Sequence, residues 1–351
     1  MATPTRPPIT DPHNASPRIA SLDELLDAAR SSGPPPRIAI APCAEEFVLR
    51  AGADAAAMGL AEPLFIGDRD ASLRKAEAAG IDISPFGLIH EPDETLAVQR
   101  AVAAYRAGEA GLLMKGLVST ATLLRAVLDK QSGVPPRGLL SHVTAFRLPH
   151  PRQRPEDSLD TSLQNAKMAR VEEGLTLLTD AAVNIKPSLQ RKVDIIKNAL
   201  EVARVLGMAQ PRVALLAATE KVNYPAMPST LDADIISKMA AQGEFGEALV
   251  AGPLSLDLAI SPASAACKGL GGPVPGRADV LVAPDIEAGN VLYKSLSALA
   301  QVPLASVVVG SEVPVVVPSR ADSERSKLCS IALAVLLSRS ASAAHEQPVQ
   351  E

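Results

Sequence analysis

The ends of four predicted strands carry charged, amide and hydroxyl side chains of types that bind anions. These strands are the apolar runs GLLMKG, EALVAG, ADVLVAP and VPVVVPS. The polar residues in and after them are Lys115, Asp257, Asp285, Asn290, Lys294, Ser319, Arg320 and Asp322. Ligands of open α/β sheets bind beyond the carboxyl ends of the strands, next to the helices that follow. We therefore expect these residues to share one site.

The two lysines and the arginine in this set indicate a small phosphorylated or carboxylated ligand. The Arg320 guanidinium offers the paired donors that such an anion prefers, and amides at the start of the last helix would add more. No metal-binding carboxylate cluster accompanies these cations, and the histidines are dispersed along the chain. A phosphate bound without an essential metal indicates acyl-phosphate chemistry or phosphate release.

Each of these residues also has a purely structural interpretation. Ser319 has the type of an N-cap for the last helix, and Asp322 is placed to interact with the helix dipole. Lys115 would be a solvated loop lysine and Asp257 a turn residue. The structural interpretation is favoured for each residue alone, whereas the concentration of cations and hydroxyls favours an anion pocket. The glycine-rich run KGLGGPVPGR fits neither the GxGxxG nor the Walker A spacing, so it does not support nucleotide binding.

Short apolar runs alternate with amphipathic segments along the chain, which predicts an α/β fold. Runs such as RIAIAP have the length and β-branched content of buried strands. The segment SLDELLDAAR has helical periodicity, and Ser21 and Glu24 have the spacing of a capping box. Its apolar face consists of Leu22, Leu25, Leu26 and Ala29. The alternation predicts βαβ units and a largely parallel sheet.

The composition limits the partners and the compartment. The chain has 351 residues, of which 47% are hydrophobic and 21% charged, so it supports a packed core larger than one ordinary domain. A net charge of −5 without a basic tract, and the absence of tryptophan, argue against a nucleic-acid partner. The cysteines form no CxxC pair, which favours a reducing compartment. There is no apolar run of roughly 18 residues and no export signal, so we expect a cytoplasmic protein without a membrane partner.

Six longer stretches resemble the phosphate acetyltransferase and phosphate butyryltransferase family. They are LLMKGLVSTATLLRAVLDK, LLSHVTAF, LLTDAAVNI, GPLSLDLAIS, GRADVLVAPDIEAGNVLYKSL and VPVVVPSRADSERSKLCSIALA. Members of this family catalyse reversible acyl transfer between coenzyme A and inorganic phosphate. The resemblance implies an acyltransferase that uses acetyl-CoA or butyryl-CoA and inorganic phosphate. Coenzyme A is a substrate in this reaction, so no cofactor is expected.

The same resemblance implies a fold like that of the isocitrate and isopropylmalate dehydrogenases, with two α/β domains, a cleft between them, and a homodimer. We assign residues 21–140 and 311–351 to the first domain and residues 141–310 to the second. The Pro-rich residues 1–20 are predicted to be a disordered leader. A polar, Pro-containing segment near 147–173 is predicted to be a solvated insertion.

The resemblance also implies roles for the strand-end residues. The segment PDIEAGNVLYKSL is similar to a loop in the cleft of family members. This similarity implies that Asn290 and Lys294 face the anion and that Gly289 allows a close backbone approach. Ser319 and Arg320 match a serine–arginine pair that contributes to the site of the acetyl branch.

The general base is not identified by the resemblance. Acetyl-branch members have a proposed base, an aspartate, in the last helix, and this chain has Lys327 at the corresponding position. Asp322 is the alternative, because the segment SRADS is shared with the butyryl branch. It would either stabilise the start of the helix or accept the thiol proton, and we favour the structural role.

The implied reaction is a direct attack of the coenzyme A thiolate on the acyl-phosphate carbonyl. Ser319 would hydrogen-bond the thiol, the phosphate or the oxyanion, while Arg320 and Lys294 would offset charge on the departing phosphate. Two other functions stay open. The first is an NAD-dependent, metal-assisted dehydrogenase of the same fold, which needs a metal-binding His or Asp set that the sequence does not display. The second is a non-catalytic binding protein, which the joint presence of Ser319, Arg320 and Lys294 disfavours.

Overall fold

The computed structural model describes residues 17–148 and 174–346, the last five as backbone only. The strands in these ranges are β1 Arg37–Ala41, β2 Glu62–Gly67, β3 Gly87–His90, β4 Leu112–Lys115, β5 Pro136–Arg147, β6 Leu175–Thr179, β7 Arg212–Leu216, β8 Leu249–Leu254, β9 Val280–Val282, β10 Leu304–Ser311 and β11 Val315–Val316. The helices are α1 Leu22–Ser31, α2 Glu46–Ala57, α3 Arg69–Ala78, α4 Glu94–Arg106, α5 Thr120–Val127, α6 Leu189–Val205, α7 Pro228–Ala241, α8 Leu256–Ile260, α9 Pro262–Cys267, α10 Ile286–Lys294 and α11 Glu324–Glu346. Helix α10 continues into a π-helical turn, Ser295–Leu299.

Residues 17–20, which were predicted to belong to the disordered leader, join the folded chain. The Ile19 amide donates to the Leu206 carbonyl at 3.0 Å, and Arg18 forms an ion pair with Asp279 at 2.8 Å. Residues 1–16 of the leader and 149–173 of the predicted insertion lie outside the described residues.

Helix α1 follows these residues and confirms the predicted cap and apolar face. The Glu24 amide donates to Ser21 Oγ at 3.1 Å, and the Glu24 carboxylate accepts from the Ala20 amide at 2.8 Å. The buried residues of the helix are the predicted Leu22, Leu25, Leu26 and Ala29. The helix packs against α11, so it joins the two ends of the chain.

The eleven strands form one mixed sheet in the order β3-β2-β1-β4-β11-β10-β5-β6-β9-β7-β8. Neighbours are parallel within β3 to β11 and again within β6 to β8. Strands β10 and β5 pair antiparallel with each other and with the strand on either side. The prediction of parallel pairing therefore holds on both sides of the sheet and fails at its centre. The two sides run in opposite directions.

One row of paired residues crosses the centre of the sheet and marks where strands from both sides end. Val316 of β11 pairs with Val307, Val307 with Val143, Val143 with Thr179, and Thr179 with Val282 of β9. Strands β11, β6 and β9 all end at this row. The connections that follow β11 and β9 therefore start from the same level of the sheet, although the strands point in opposite directions.

Helices cover both faces of the sheet, and the residues of each strand alternate between the faces. On the first face, buried residues of α1, α2, α6 and α11 pack against Ile38 and Val307. On the second face, α4 and α5 pack against one side of the sheet, and α8 and α10 against the other. These two helix groups lie on either side of β10 and β5.

No helix in the described ranges is long and apolar enough to span a bilayer.

Candidate active site

Polar side chains lie on the second face of the two central strands, between the two helix groups. Val308 of β10 and Leu140 of β5 belong to the apolar core of this face. Because side chains alternate, Ser306, His142 and Thr144 point to the same face. All three residues are buried, and the hydroxyl oxygens of Thr144 and Ser306 are 2.9 Å apart. The seam between the helix groups therefore has a polar floor in an otherwise apolar sheet.

An open cavity of about 430 Å³ lies at the ends of β4 and β11 and contains two of the predicted cations. It is lined by Phe47, Glu94, Lys115, Gly116, Leu117, Val118, Ser119, Pro318 and Arg320. The Lys115 ammonium donates to the carbonyls of Gly116 and Val118 at 3.2 and 3.0 Å. In the described part of the chain, no hydrogen bond or ion pair engages the exposed Arg320 guanidinium. Its donors are therefore available to a ligand in this cavity.

The helix that begins at this cavity is α5, whereas the sequence prediction assigned this role to the last helix. Ser119, which lines the cavity, is the N-cap of α5 and accepts from the Thr122 amide at 3.0 Å. Helix α11 begins only at Glu324, four residues after Arg320. Its cap is provided by Ser323, whose hydroxyl accepts from the Ser326 amide at 3.1 Å. The proposed cap roles of Ser319 and Asp322 are therefore wrong.

Ser319 connects the two sides of the sheet through Lys294. The Lys294 ammonium at the end of α10 donates to Ser319 Oγ at 3.1 Å. An ammonium group only donates hydrogen bonds, so Ser319 Oγ accepts this one and keeps its own hydrogen for another acceptor. The serine lies between Pro318 and Arg320, which both line the cavity. A hydroxyl donor is thereby held beside the two cations of the cavity.

Asp322 is buried, and its carboxylate closes the turn that carries Ser319 and Arg320. The Ser319 amide donates to Asp322 Oδ2 at 2.7 Å, and the Asp322 amide donates back to the Ser319 carbonyl at 3.1 Å. The Tyr293 hydroxyl lies 3.1 Å from both carboxylate oxygens. Asp322 therefore joins the turn after β11 to helix α10.

Lys327 packs behind the same turn. Its ammonium is buried, donates to the Asp322 carbonyl at 2.8 Å and lies 5.3 Å from the centre of the Phe47 ring. Burial lowers the pKa of Lys327 from its ordinary value, and the charges of Asp322 and Glu324 partly oppose this shift. Lys327 is therefore a buried cation that supports the turn after β11.

Burial and nearby charges shift the pKa values of three further groups. Burial, followed by the charge of Arg320, lowers the pKa of Lys115, and Asp322 opposes this. Burial also lowers the pKa of His142, although Asp180 and Asp322 act in the opposite direction. Burial and the charge of Asp322 raise the pKa of Tyr293, so its hydroxyl remains a donor at neutral pH.

The predicted residues at the start of α10 make structural contacts. Asp285 is the N-cap of the helix and accepts from the Ala288 amide at 2.9 Å. The Asn290 amide donates to the Ala181 carbonyl at 3.0 Å, in the connection after β6. The Asn290 bond ties α10 to the connection after β6, and the last turn of the helix reaches Ser319 through Lys294. Neither residue contacts the cavity, and their predicted role in substrate binding stays a prediction.

Asp257 lies apart from the other predicted residues. It is in α8, directly after β8, which is the edge strand and six positions from β11. At about 4.8 Å per strand, this separates the two strands by roughly 30 Å. Its carboxylate accepts from Ser255 Oγ at 2.7 Å, and this bond lowers the pKa of Asp257. The structure does not bring Asp257 to the site.

The sequence prediction did not assign a role to Tyr293, His142 or Phe47. Tyr293 had the clearest signal, because it is adjacent to Lys294 in the helix after a strand end. His142 belongs to the polar floor only because β5 pairs with β10, and no local sequence pattern indicates that pairing.

In the described residues, no group of three His, Cys, Asp or Glu side chains converges in a way that would hold a metal ion. The polar side chains that line the cavity at the ends of β4 and β11 are Lys115, Arg320, Ser119 and Glu94, and the two cations suit an anion.

Comparison with known proteins identifies the family. The family model described as phosphate acetyl/butaryl transferase matches residues 92–335. A phosphate butyryltransferase of Clostridium acetobutylicum is 39% identical over 319 residues, which cover 91% of this chain and 98% of the relative. A phosphate acetyltransferase of Rhizobium meliloti is 36% identical over 318 residues, covering 90% and 93%. The crystal structure of a branched-chain phosphotransacylase from Enterococcus faecalis V583 matches with a TM-score of 0.70 and 33% identity, over 86% of this chain and 98% of that one. The chain with this cationic strand-end site belongs to the phosphate acetyl- and butyryltransferase family.

Proposed function

We propose that this protein transfers a short acyl group reversibly between coenzyme A and inorganic phosphate. The observation that carries this proposal is the placement of Ser319 between the cationic cavity and Lys294. In this reaction the phosphate needs cations and the acyl carbonyl needs a hydroxyl donor. The two must lie within a few ångströms of each other, because the acyl group is bonded to the phosphate. The family membership supports this function over the dehydrogenase alternative and over a binding protein without turnover.

Arg320 and Lys115 are the proposed phosphate ligands. Both line the cavity, and they are close enough for the charge of Arg320 to lower the pKa of Lys115. A phosphate bound between them would relieve this repulsion, since its negative charge attracts both cations. The planar guanidinium matches two phosphate oxygens at once, which an ammonium cannot do.

Ser319 is the proposed donor to the reacting acyl group. In the forward direction the coenzyme A thiolate attacks the acyl-phosphate carbonyl, the carbonyl oxygen becomes negative, and phosphate leaves when the tetrahedral intermediate collapses. The Ser319 hydrogen is directed by the bond from Lys294 and offsets the charge on the oxyanion. A donor of this type contributes about 3 kcal/mol in the transition state.

The proposal also includes the domain division, the oligomeric state and the compartment of the protein. The chain forms two α/β domains, as in the isocitrate and isopropylmalate dehydrogenases, with the cleft between the helix groups. The reversal of strand direction supports this division, because β5 starts near the proposed boundary at 140 and β10 ends at 311. The protein is a cytoplasmic homodimer and uses neither a metal nor a cofactor.

The test is an assay of thiol release from acetyl-, propionyl- and butyryl-CoA in the presence and absence of phosphate. Phosphate-dependent release with a short acyl chain supports the function, and prolonged chelation should leave the rate nearly intact. Release without phosphate, or a preference for palmitoyl-CoA, contradicts it. A phosphate-independent absorbance change with NAD would favour the dehydrogenase instead.

A further inference from the structure

Tyr293 connects the polar floor of the seam to the turn that presents Ser319. Its ring packs edge-on against His142 at 5.6 Å between centroids, and its hydroxyl contacts both oxygens of Asp322 at 3.1 Å. The residue is 6% exposed, so the hydroxyl has little access to water. A phenol buried on a carboxylate in this way restrains the position of that carboxylate.

The direction of the hydrogen bonds at the Asp322 carboxylate is fixed by chemistry. Asp322 accepts from the Ser319 amide and from Tyr293, since an ionised carboxylate has no hydrogen to donate. Tyr293 has a single hydrogen, which Asp322 takes. The Asp322 carboxylate is therefore held by donors from both the turn after β11 and helix α10.

We propose that Tyr293 is a positioning residue for the acyl-transfer reaction and that it acts on Ser319 through Asp322. The proposal rests on the proposed function. Tyr293 does not line the cavity, whereas the two neighbours of Ser319 in sequence do. Its hydroxyl holds the Asp322 carboxylate, the carboxylate holds the Ser319 amide, and the turn then aligns Ser319 Oγ with Lys294.

This role predicts a specific kinetic effect. Removing the Tyr293 hydroxyl leaves Arg320 and Lys115 in place, so the KM for phosphate should change by less than about threefold. The alignment of Ser319 matters most when the oxyanion forms, so kcat should fall. A hydrogen bond to a charged group contributes enough to lower a rate by roughly ten- to a hundredfold.

The experiment is a double-mutant cycle with Tyr293→Phe and Asp322→Asn in the full chain. Tyr293→Phe is expected to lower kcat by about ten- to a hundredfold in the wild-type background. In the Asp322→Asn background, the same change should lower kcat by less than about threefold, because its target is already altered. The matched control is Tyr105→Phe, which removes the hydroxyl of a half-buried tyrosine in α4 that contacts none of these residues and should leave kcat unchanged.

The outcomes separate the two proposals. A wild-type chain without phosphate-dependent acyl transfer overturns the function and the role of Tyr293 together. An active wild type with a fully active Tyr293→Phe variant overturns only the positioning role. Equal losses in both backgrounds mean that Tyr293 does not act through Asp322. If Tyr293→Phe does not fold, Asp322→Asn alone tests the next contact in the path, and an unchanged kcat in that folded variant contradicts the positioning role.

Discussion

Gly289 of α10 lies so close to the connection after β6 that a Cβ atom there would stand 2.3 Å from the carbonyl oxygen of Asp180. That carbonyl belongs to a rigid segment, because the Asp180 carboxylate accepts from the amides of Ala182 and Val183 at 2.9 and 3.0 Å. The close approach at Gly289 is therefore one between α10 and the connection after β6. Lys294 and Tyr293 follow in the same helix, so this contact determines how near they come to Ser319 and Asp322.

Gly289→Ala should reduce both stability and activity. Alanine in place of glycine inside a helix ordinarily stabilises a protein by about 0.5–1 kcal/mol. Here the methyl group would force α10 away from β6, which we expect to cost about 1–3 kcal/mol and to separate Lys294 from Ser319. Thermal unfolding and kcat measure the two effects. Gly138→Ala is the control, since a Cβ there meets nothing within 4 Å. A more stable, fully active Gly289→Ala variant would show that α10 can move without consequence.

Arg320→Lys should weaken the use of phosphate more than the use of coenzyme A. The substitution keeps the positive charge but removes the two parallel donors that fit a phosphate. We expect the KM for phosphate to rise by roughly tenfold or more, with the KM for coenzyme A within about threefold of wild type. Arg74→Lys is the control, because Arg74 is an exposed arginine of α3 outside the site. Equal increases in both KM values would place Arg320 elsewhere than at the phosphate.

The lowered pKa of Lys115 predicts a loss of phosphate binding at alkaline pH. Burial and the charge of Arg320 lower this pKa from 10.5, so the ammonium loses its proton at a lower pH than an exposed lysine does. The KM for phosphate should therefore rise as the pH increases toward 10.5. Lys115→Arg should flatten this rise, because a guanidinium stays protonated throughout that range. Lys130→Arg, at an exposed lysine, should keep the wild-type profile. Identical profiles in all three proteins would exclude Lys115 as a phosphate ligand.

Thiol modification should leave the enzyme active. Burial raises the pKa of Cys43 and of Cys329 to about 11, so both remain protonated and inaccessible at neutral pH. Cys267 in α9 is exposed and should react first. We expect one rapidly alkylated thiol in the native protein, found by mass spectrometry, and an unchanged rate of acyl transfer. Inactivation in step with alkylation of Cys43 would indicate that this thiol reaches the substrates.

The sequence predicted most of the strands and helices on the two sides of the sheet but not its centre. Strand β5 was missed; its first three residues are exposed and its next residues are buried without alternation, so it lacks the period of a half-buried strand. Its antiparallel pairing with β10 joins residues about 160 positions apart, as with Thr144 and Ser306. Local periodicity reports which face of a segment is buried, and it carries no information on the partner across the sheet. The antiparallel pairing at the centre of the sheet could therefore be established only from the structure.

The candidate site shows the same limit. Lys115, Ser319, Arg320 and Lys294 were found because each follows or ends a predicted strand. Asp257 was included by the same rule, and the structure places it at the far edge of the sheet. The rule identifies strand ends, but the order of strands decides which ends meet. Asp322 was expected to cap a helix and instead closes a turn, since α11 begins one residue later than that role requires.

Asp322→Asn distinguishes a positioning carboxylate from a general base. Both carboxylate oxygens accept hydrogen bonds from the protein, and the residue is 8% exposed, so the geometry favours positioning. The asparagine keeps one acceptor oxygen and presents an amide donor to either Tyr293 or Ser319. One of these bonds is lost, which should lower the free energy of unfolding by about 1–3 kcal/mol and kcat by about tenfold.

The pH dependence decides between the two roles. A positioning carboxylate contributes no proton transfer, so the pH profile of kcat should keep its shape in Asp322→Asn. A general base would cause a loss of roughly a hundredfold or more at neutral pH, with partial recovery as the pH approaches the thiol pKa of about 8.5, because hydroxide then replaces the base. Denaturant unfolding must accompany the kinetics, since only the positioning role ties the loss of rate to a loss of stability. A large loss of kcat at unchanged stability, with alkaline recovery, would make Asp322 the base.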